Sequence, residues 1–277
     1  MRARAALLVA MALAALSAIP AHAADASAAL TAERHEIRTA DYRVSGHLIR
    51  VQANGVRISL PVTIEARWFP GVLRIRLEVG DASKPAASPS ANPSADPAPP
   101  LFPPARALLE MRPTGEDSIW VAQRGDKSPT LLPFDKWNDG PLGPGFAWED
   151  FLEQQYFWPE QTLEPAAKFG ARDCDVIESA PGAAGHTHYA QVKTWLDRSI
   201  GFPVYAEKTM KGSGVQKQFT YFGLRHNGGV WSASQVEEIT RGQGGKTLLV
   251  IDRGTAGANL SLKDFSPDQL VNFQDRF

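Results

Sequence analysis

The 277-residue sequence has a single cysteine, Cys174, so no intramolecular disulfide can staple it. Stability must come from a buried core, and the chain is long enough for one large or two small domains. Neither sign of charge dominates: 29 Lys and Arg stand against 30 Asp and Glu. No basic block stands out, which leaves nucleic-acid binding without electrostatic support. Catalytic signatures are missing too. There is no Gly-x-Ser-x-Gly, and no pair of carboxylates is singled out for acid–base work. Gly245-Lys246-Thr247 looks like the end of a phosphate-binding loop. Thr240 stands where that motif needs its first Gly, and the stretch enters a strand, so a hairpin turn is expected. His186 and His188 would share one face of a strand and point to a metal only with a third ligand, which the neighbouring sequence does not offer. Cys174 lies between Asp173 and Asp175. Acidic neighbours raise a thiol pKa, so a buried, inert cysteine is expected. Neither cofactor nor metal is expected, and enzymatic activity has the least support.

Long apolar runs are also missing after the N-terminus. Arg2 and Arg4 precede an apolar stretch from Ala5 to Ile19, and Ala21-His22-Ala23 follows as a small-x-small site. This pattern predicts a signal peptide over residues 1–23, cleaved before Ala24; an uncleaved anchor is the alternative. The run is short for a bilayer span. No cysteine stands at the cleavage point, so lipid attachment there is not expected. Removing Arg2 and Arg4 leaves 27 basic and 30 acidic residues, net −3.

What is present is alternation. Val56, Ile58, Leu60, Val62, Ile64, Ala66 and Trp68 occupy successive even positions, separated mostly by polar residues. Parity then flips to Leu73, Ile75, Leu77 and Val79, separated by Arg74, Arg76 and Glu78. Strand side chains alternate faces, so an antiparallel sheet with one apolar and one wet face is predicted. Residues 81–104 form a Pro/Ala/Ser-rich insert with prolines at 85, 89, 93, 97, 99, 100, 103 and 104. It is read as a mobile loop between two strands of one domain, residues 24–277. As a true linker it would leave an N-terminal piece of about three strands, too few to stand alone.

Further strands are predicted at 106–112, 118–124, 172–179, 187–197, 203–210, 215–224, 230–240 and 246–253, with turn signals between them. Such a succession argues a sandwich or barrel. One internal helix is predicted from Ala147 to Phe157, with Trp148, Phe151, Leu152, Gln155 and Tyr156 on one face and Glu149, Asp150 and Glu153 opposite. Ser266-Pro267 starts a short terminal helix. Trp68, Trp148, Phe151, Tyr156, Phe157, Trp158, Trp195 and Trp231 are spread over many segments. Most serve a core. A curved sheet that outsizes its covering helices would leave some of them lining a pocket.

Phe146-Ala147-Trp148-Glu149-Asp150-Phe151, the stretch Tyr189–Phe202 with its Trp195-Leu196-Asp197, and Pro203 resemble segments of the LolA-like, outer-membrane lipoprotein-sorting group. The continuation Val204–Phe219, then Gly229-Val230-Trp231, Lys246-Thr247 and Asp264-Phe265 as closing strands, is similar to the same family. The resemblance spans roughly residues 35–277. It implies a mainly β (α+β) fold: a half-open antiparallel β-barrel closed by one or more helices around an apolar cavity. It also implies a soluble periplasmic protein that carries lipoprotein acyl chains or another lipid. The long insert departs from the family, and no segment matches the carrier's transporter-docking residues. Expected lining residues are Ile58, Leu60, Val62, Ile64, Trp68, Leu73, Ile75 and Leu77 from the sheet, with Trp148, Phe151, Leu152 and Tyr156 from the lid. Expected partners are acyl chains or lipid, with inner- or outer-membrane envelope proteins as delivering or receiving candidates, and a monomer is expected. The alternative is an envelope interaction or sensor module with its apolar side packed shut.

Overall fold

The computed structural model describes residues 21–80, 104–143, 145–183, 185–227 and 229–273. Residues 1–20 of the expected signal peptide and residues 81–103 of the insert lie outside the described residues. Two short helices, α1 (Ala21–Ala29) and α2 (Thr31–Arg38), come first. Strands β1 (Asp41–Gln52), β2 (Arg57–Phe69), β3 (Val72–Val79), β4 (Ala105–Met111), β5 (Ser118–Gln123) and β6 (Thr130–Leu131) follow. After an irregular segment come β7 (Glu160–Phe169), β8 (Arg172–Ala180), β9 (Tyr189–Asp197), β10 (Pro203–Met210), β11 (Gln216–Asn227), β12 (Val230–Thr240) and β13 (Gly245–Ala256).

All thirteen strands belong to one antiparallel sheet in the order β6-β5-β4-β3-β2-β1-β13-β12-β11-β10-β9-β8-β7. The sheet does not close: β6 and β7 are its edges. Two meanders, β1–β6 and β7–β13, meet along a single seam where Tyr42 faces Ala256 and Gln52 faces Gly245. The ladder shifts register at Gly46, where any Cβ would collide with the Val250 carbonyl, so only glycine fits.

The alternation of β2 and β3 is realised. Val62 faces Val79, Ile64 faces Leu77, Ala66 faces Ile75 and Trp68 faces Leu73, and these side chains enter the main core. Val79 in turn faces Ala105, so the insert leaves and rejoins neighbouring strands of the same ladder. The opposite face is less wet than predicted. Glu65 is 2% exposed. It pairs with Arg43 at 2.6 Å and Arg76 at 2.7 Å. The reason is the C-terminal segment, which lies across this outer face. Leu260, Phe265 and Leu270 pack on Leu108 and Ala122 there. Arg67 donates to the Leu260 carbonyl, Arg76 to that of Asp264 and Arg106 to that of Asn272. β4 is consequently buried on both faces. Asp264-Phe265 is no closing strand but part of a 3-10 turn, Leu262–Phe265, and Ser266 precedes a second, Pro267–Val271.

Sequence patterning misses β7 because Pro165 interrupts it. β7 is an edge strand, and its register breaks between Glu164 and Ala167, where a missing N–H costs no ladder bond. The helix predicted over 147–157 is instead two 3-10 turns, Trp148–Phe151 and Gln154–Phe157. The break falls at Glu153, which takes a left-handed backbone, φ 48°. A continuous helix would have sent Glu149 and Asp150 to solvent. Both are buried, because fixed partners in the sheet draw them inward.

Candidate functional site

The inner face of the sheet has two characters. Across β2 to β5 it is apolar without interruption, through Val62, Ile64, Ala66, Leu73, Ile75, Leu77, Leu109 and Ile119. Toward the far end of β2 the stripe continues to Ile58 and Leu60, which face Arg50 and Leu48 and are only half-buried. Trp68 is half-buried at the other end, stacked on Phe157 with centroids 5.9 Å apart. Among the expected lining residues, Trp148, Leu152 and Tyr156 are buried in the same core. Phe151 is partly buried against it, 5.6 Å from Phe146. The structure thus brings all twelve together in one apolar cluster.

Across β7 to β12 the inner face is mixed: Leu163, Ile177, Ala206 and Phe219 lie along one cross-strand row and join the apolar cluster, while the next row is largely polar. Gln161, Ser179, Lys208, Lys217 and Thr240 stand in one cross-strand row, with Val192 the apolar member. Asp150 plugs this row. One of its carboxylate oxygens accepts from the Tyr189 hydroxyl at 2.6 Å and Lys208 Nζ at 3.1 Å. The other accepts from Lys217 Nζ at 3.1 Å and the Ala147 N–H at 2.9 Å. Burial alone would push this carboxyl up, but Lys217 and Lys208, with the two hydrogen bonds, hold it well below the usual carboxylate range. Lys217 also donates to Asn138 Oδ1 at 3.0 Å and the Gly145 carbonyl at 3.1 Å. Asp150 and Lys217 are therefore saturated, and Lys208, bonded to Asp150, also stands over the Tyr189 and Phe219 rings.

Beside it, buried Glu149 accepts from Thr187 Oγ1, from the His188 N–H at 3.0 Å, and bonds His188 Nδ1 at 2.8 Å. His188 and His186 each stack on Phe134, at 4.1 and 4.0 Å. The Phe134 ring sits between them, which keeps the two imidazoles from sharing a metal. Cys174 is buried, and burial first, then Asp197 and Asp173, raises its thiol pKa.

A third group lies where α2 meets the 154–157 turn. Glu33 is 4% exposed. Burial raises its pKa, with Glu153 and Glu36 adding to the shift. Burial likewise raises Glu153, against the pull of Lys208 and Tyr221. No sequence signal marks Glu33: it reads as one more acid on a polar helix whose one buried aliphatic is Ile37. Outside this face, an open groove of about 710 Å³ lies between the helices and the Asp197–Gly201 turn; Ala28, Ala32, Leu196, Ile200 and Trp231 line part of it, and none of the twelve expected residues does.

Among the described residues no helix is long and apolar enough to cross a membrane. Comparison with solved structures gives the fold. A domain from Vibrio parahaemolyticus described as an outer membrane lipoprotein-sorting protein domain superposes with a TM-score of 0.76 at 15% identity, covering 90% of this chain and 100% of that one. A DUF1329 family protein from Desulfovibrio piger gives 0.74 at 13% identity, covering 90% and 99%. A LolA superfamily protein from Nitrosomonas europaea gives 0.59 at 15% identity, covering 87% and 97%. No curated protein matches the sequence. A family model described as "uncharacterized protein"-like matches residues 112–272, more than half of the chain. The chain therefore belongs to that family, and its fold is the one shared by the LolA superfamily and the lipoprotein-sorting domain.

Proposed function

We propose that this protein is a non-catalytic, exported carrier that holds acyl chains of lipoproteins or other lipids against the inner wall of its sheet. The observation that supports this best is the continuous apolar face of β2 to β5 and its half-buried ends at Ile58, Leu60 and Trp68. Single half-buried apolar side chains are ordinary, but a continuous apolar stripe that opens at both ends gives a guest chain a place to enter. In this reading α1, α2 and the 148–157 turns act as the lid of a half-open barrel, and 24–277 is one domain. Burial drives binding at about 25 cal/mol per Å² of apolar surface, and release requires the lid to move. The N-terminal leader pattern supports passage to the periplasm, where envelope proteins would load and unload it. The likeness to a lipoprotein-sorting domain supports the ligand class.

The test is organic extraction of protein purified from its own periplasm, followed by lipid identification. Wild type should release stoichiometric lipid. Trp68→Glu and Phe151→Lys should be exported, fold, and release about tenfold less, since each places a charge on the apolar wall. If both variants carry as much lipid as wild type, the wall is not the binding surface. A protein that copurifies with an envelope partner and without lipid would instead support the interaction-module reading.

A further inference from the structure

The apolar wall explains a tail, not a head. Facing it from under α2 are groups that the fold leaves unsatisfied. Glu33 Oε2 is buried with no hydrogen-bond partner, and the buried Tyr156 hydroxyl has only the neighbouring Gln155 side chain within reach, in poor geometry. Tyr156 is 0% exposed, and its hydroxyl lies within electrostatic range of Glu33, Glu153 and Tyr221. Glu153 reaches this place through its left-handed backbone. Tyr42 from β1 and Tyr221 from β11 approach both carboxyls, and Tyr221 reaches Glu153. The charged neighbours are otherwise engaged. Lys208 faces Glu153 but is held by Asp150 at 3.1 Å. Arg34 Nε donates to the Tyr156 carbonyl at 2.6 Å, and Glu36 accepts the Trp231 N–H at 3.2 Å.

Native interiors rarely keep polar atoms without partners, and two carboxyls side by side cannot both ionise without a cation. Three tyrosine rings around two acids form a surface that suits a cationic nitrogen, through charge-assisted hydrogen bonds and ring faces. We propose that Glu33, Glu153 and Tyr156, with Tyr42 and Tyr221, form a head-group site for an amphiphile whose polar end is a protonated amine, its tail lying on the β2–β3 wall. This rests on the acyl-chain reading and adds the chemistry of the head. Burial keeps a proton on the empty pair, and an ammonium head displaces it, so binding releases a proton.

The experiment is calorimetric titration of the full chain, stripped of lipid, with dodecylamine, dodecanol and dodecanoate below their micellar concentrations. Dodecylamine should bind about tenfold or more tighter than dodecanol, the worth of one or two charge-assisted hydrogen bonds, and dodecanoate weakest. The amine heat should depend on the buffer's ionisation enthalpy. Glu33→Gln and Glu153→Gln, each checked for folding by circular dichroism, should bring the amine-to-alcohol ratio close to one. Equal binding of amine and alcohol by wild type, or a preference that survives both variants, overturns the head-group site while leaving the acyl carrier standing. Failure of all three ligands to bind overturns both.

Discussion

At the residue scale, the buried charges separate into those that are matched and those that are not. Asp150 is matched to two lysines, so removing it strands both. Asp150→Ala should destabilise the protein by about 3–5 kcal/mol, the cost of breaking a buried pair from one side, read as a lower midpoint in denaturant. Asp117, half-buried and bonded by the Arg112 N–H at 2.6 Å, is shifted in the other direction. Burial is the main reason its pKa is pushed up to about 7, with the Arg112 N–H and guanidinium opposing and Glu149 reinforcing the shift. A carboxyl raised on folding stabilises the native state below its ordinary pKa, and that contribution is lost as pH climbs toward 7. Glu33 and Glu153 are raised as well and act in the same sense. Asp150 is depressed and acts oppositely, its contribution being lost only when pH falls below the usual carboxylate range. Thermal melting should therefore show a higher midpoint at pH 5 than at pH 8. Asp117→Asn, which keeps an acceptor for the Arg112 N–H, should narrow that gap. A midpoint that rises from pH 5 to pH 8 contradicts this assignment.

At the element scale, alternation with parity 2 made most of the sheet legible: β10 and β12 begin and end where the turn residues place them, and β2 and β3 present the predicted face. Elements whose pattern was broken or too short were not legible. Pro165 hid an edge strand, β6 has two residues, and α2 offers only Ile37 as an apolar anchor. The 148–157 segment failed as a helix for a different reason. Its acids were assigned to solvent, and nothing local shows that Lys208 and Lys217, about 60 residues downstream, will receive Asp150. The insert between β3 and β4 makes a separate prediction. Because Val79 and Ala105 are already opposite one another, replacing 81–103 with a short Gly-Ser turn should leave the ladder intact. It should stabilise the chain by about 1 kcal/mol, the loop-closure entropy of a shorter loop. A large loss of stability would show that the insert packs on the body.

At the scale of the whole molecule, the polar row set into an otherwise largely apolar inner face is what sequence could not express. Both halves read as alternating strands of similar composition. The row appears only when register lines up Gln161, Ser179, Lys208, Lys217 and Thr240. Of the twelve residues expected to line the wall, the eight on β2 and β3 follow strand alternation, whereas Trp148, Phe151, Leu152 and Tyr156 reach the same apolar cluster through two 3-10 turns that no helical period describes. The Glu33–Glu153–Tyr156 group was not legible, because its members come from elements that meet only in three dimensions.

The seam between β1 and β13 sets the order of events in the life of the chain. Tyr42 and Ala256 are neighbours in space but stand on the first and the last strand of the sheet. A polypeptide emerging amino end first must keep this edge of β1 waiting until β13, the last strand of the sheet, arrives, and so long a wait makes completion slow. Refolding from denaturant should therefore close this seam last, because its two strands are tethered only through all the strands between them.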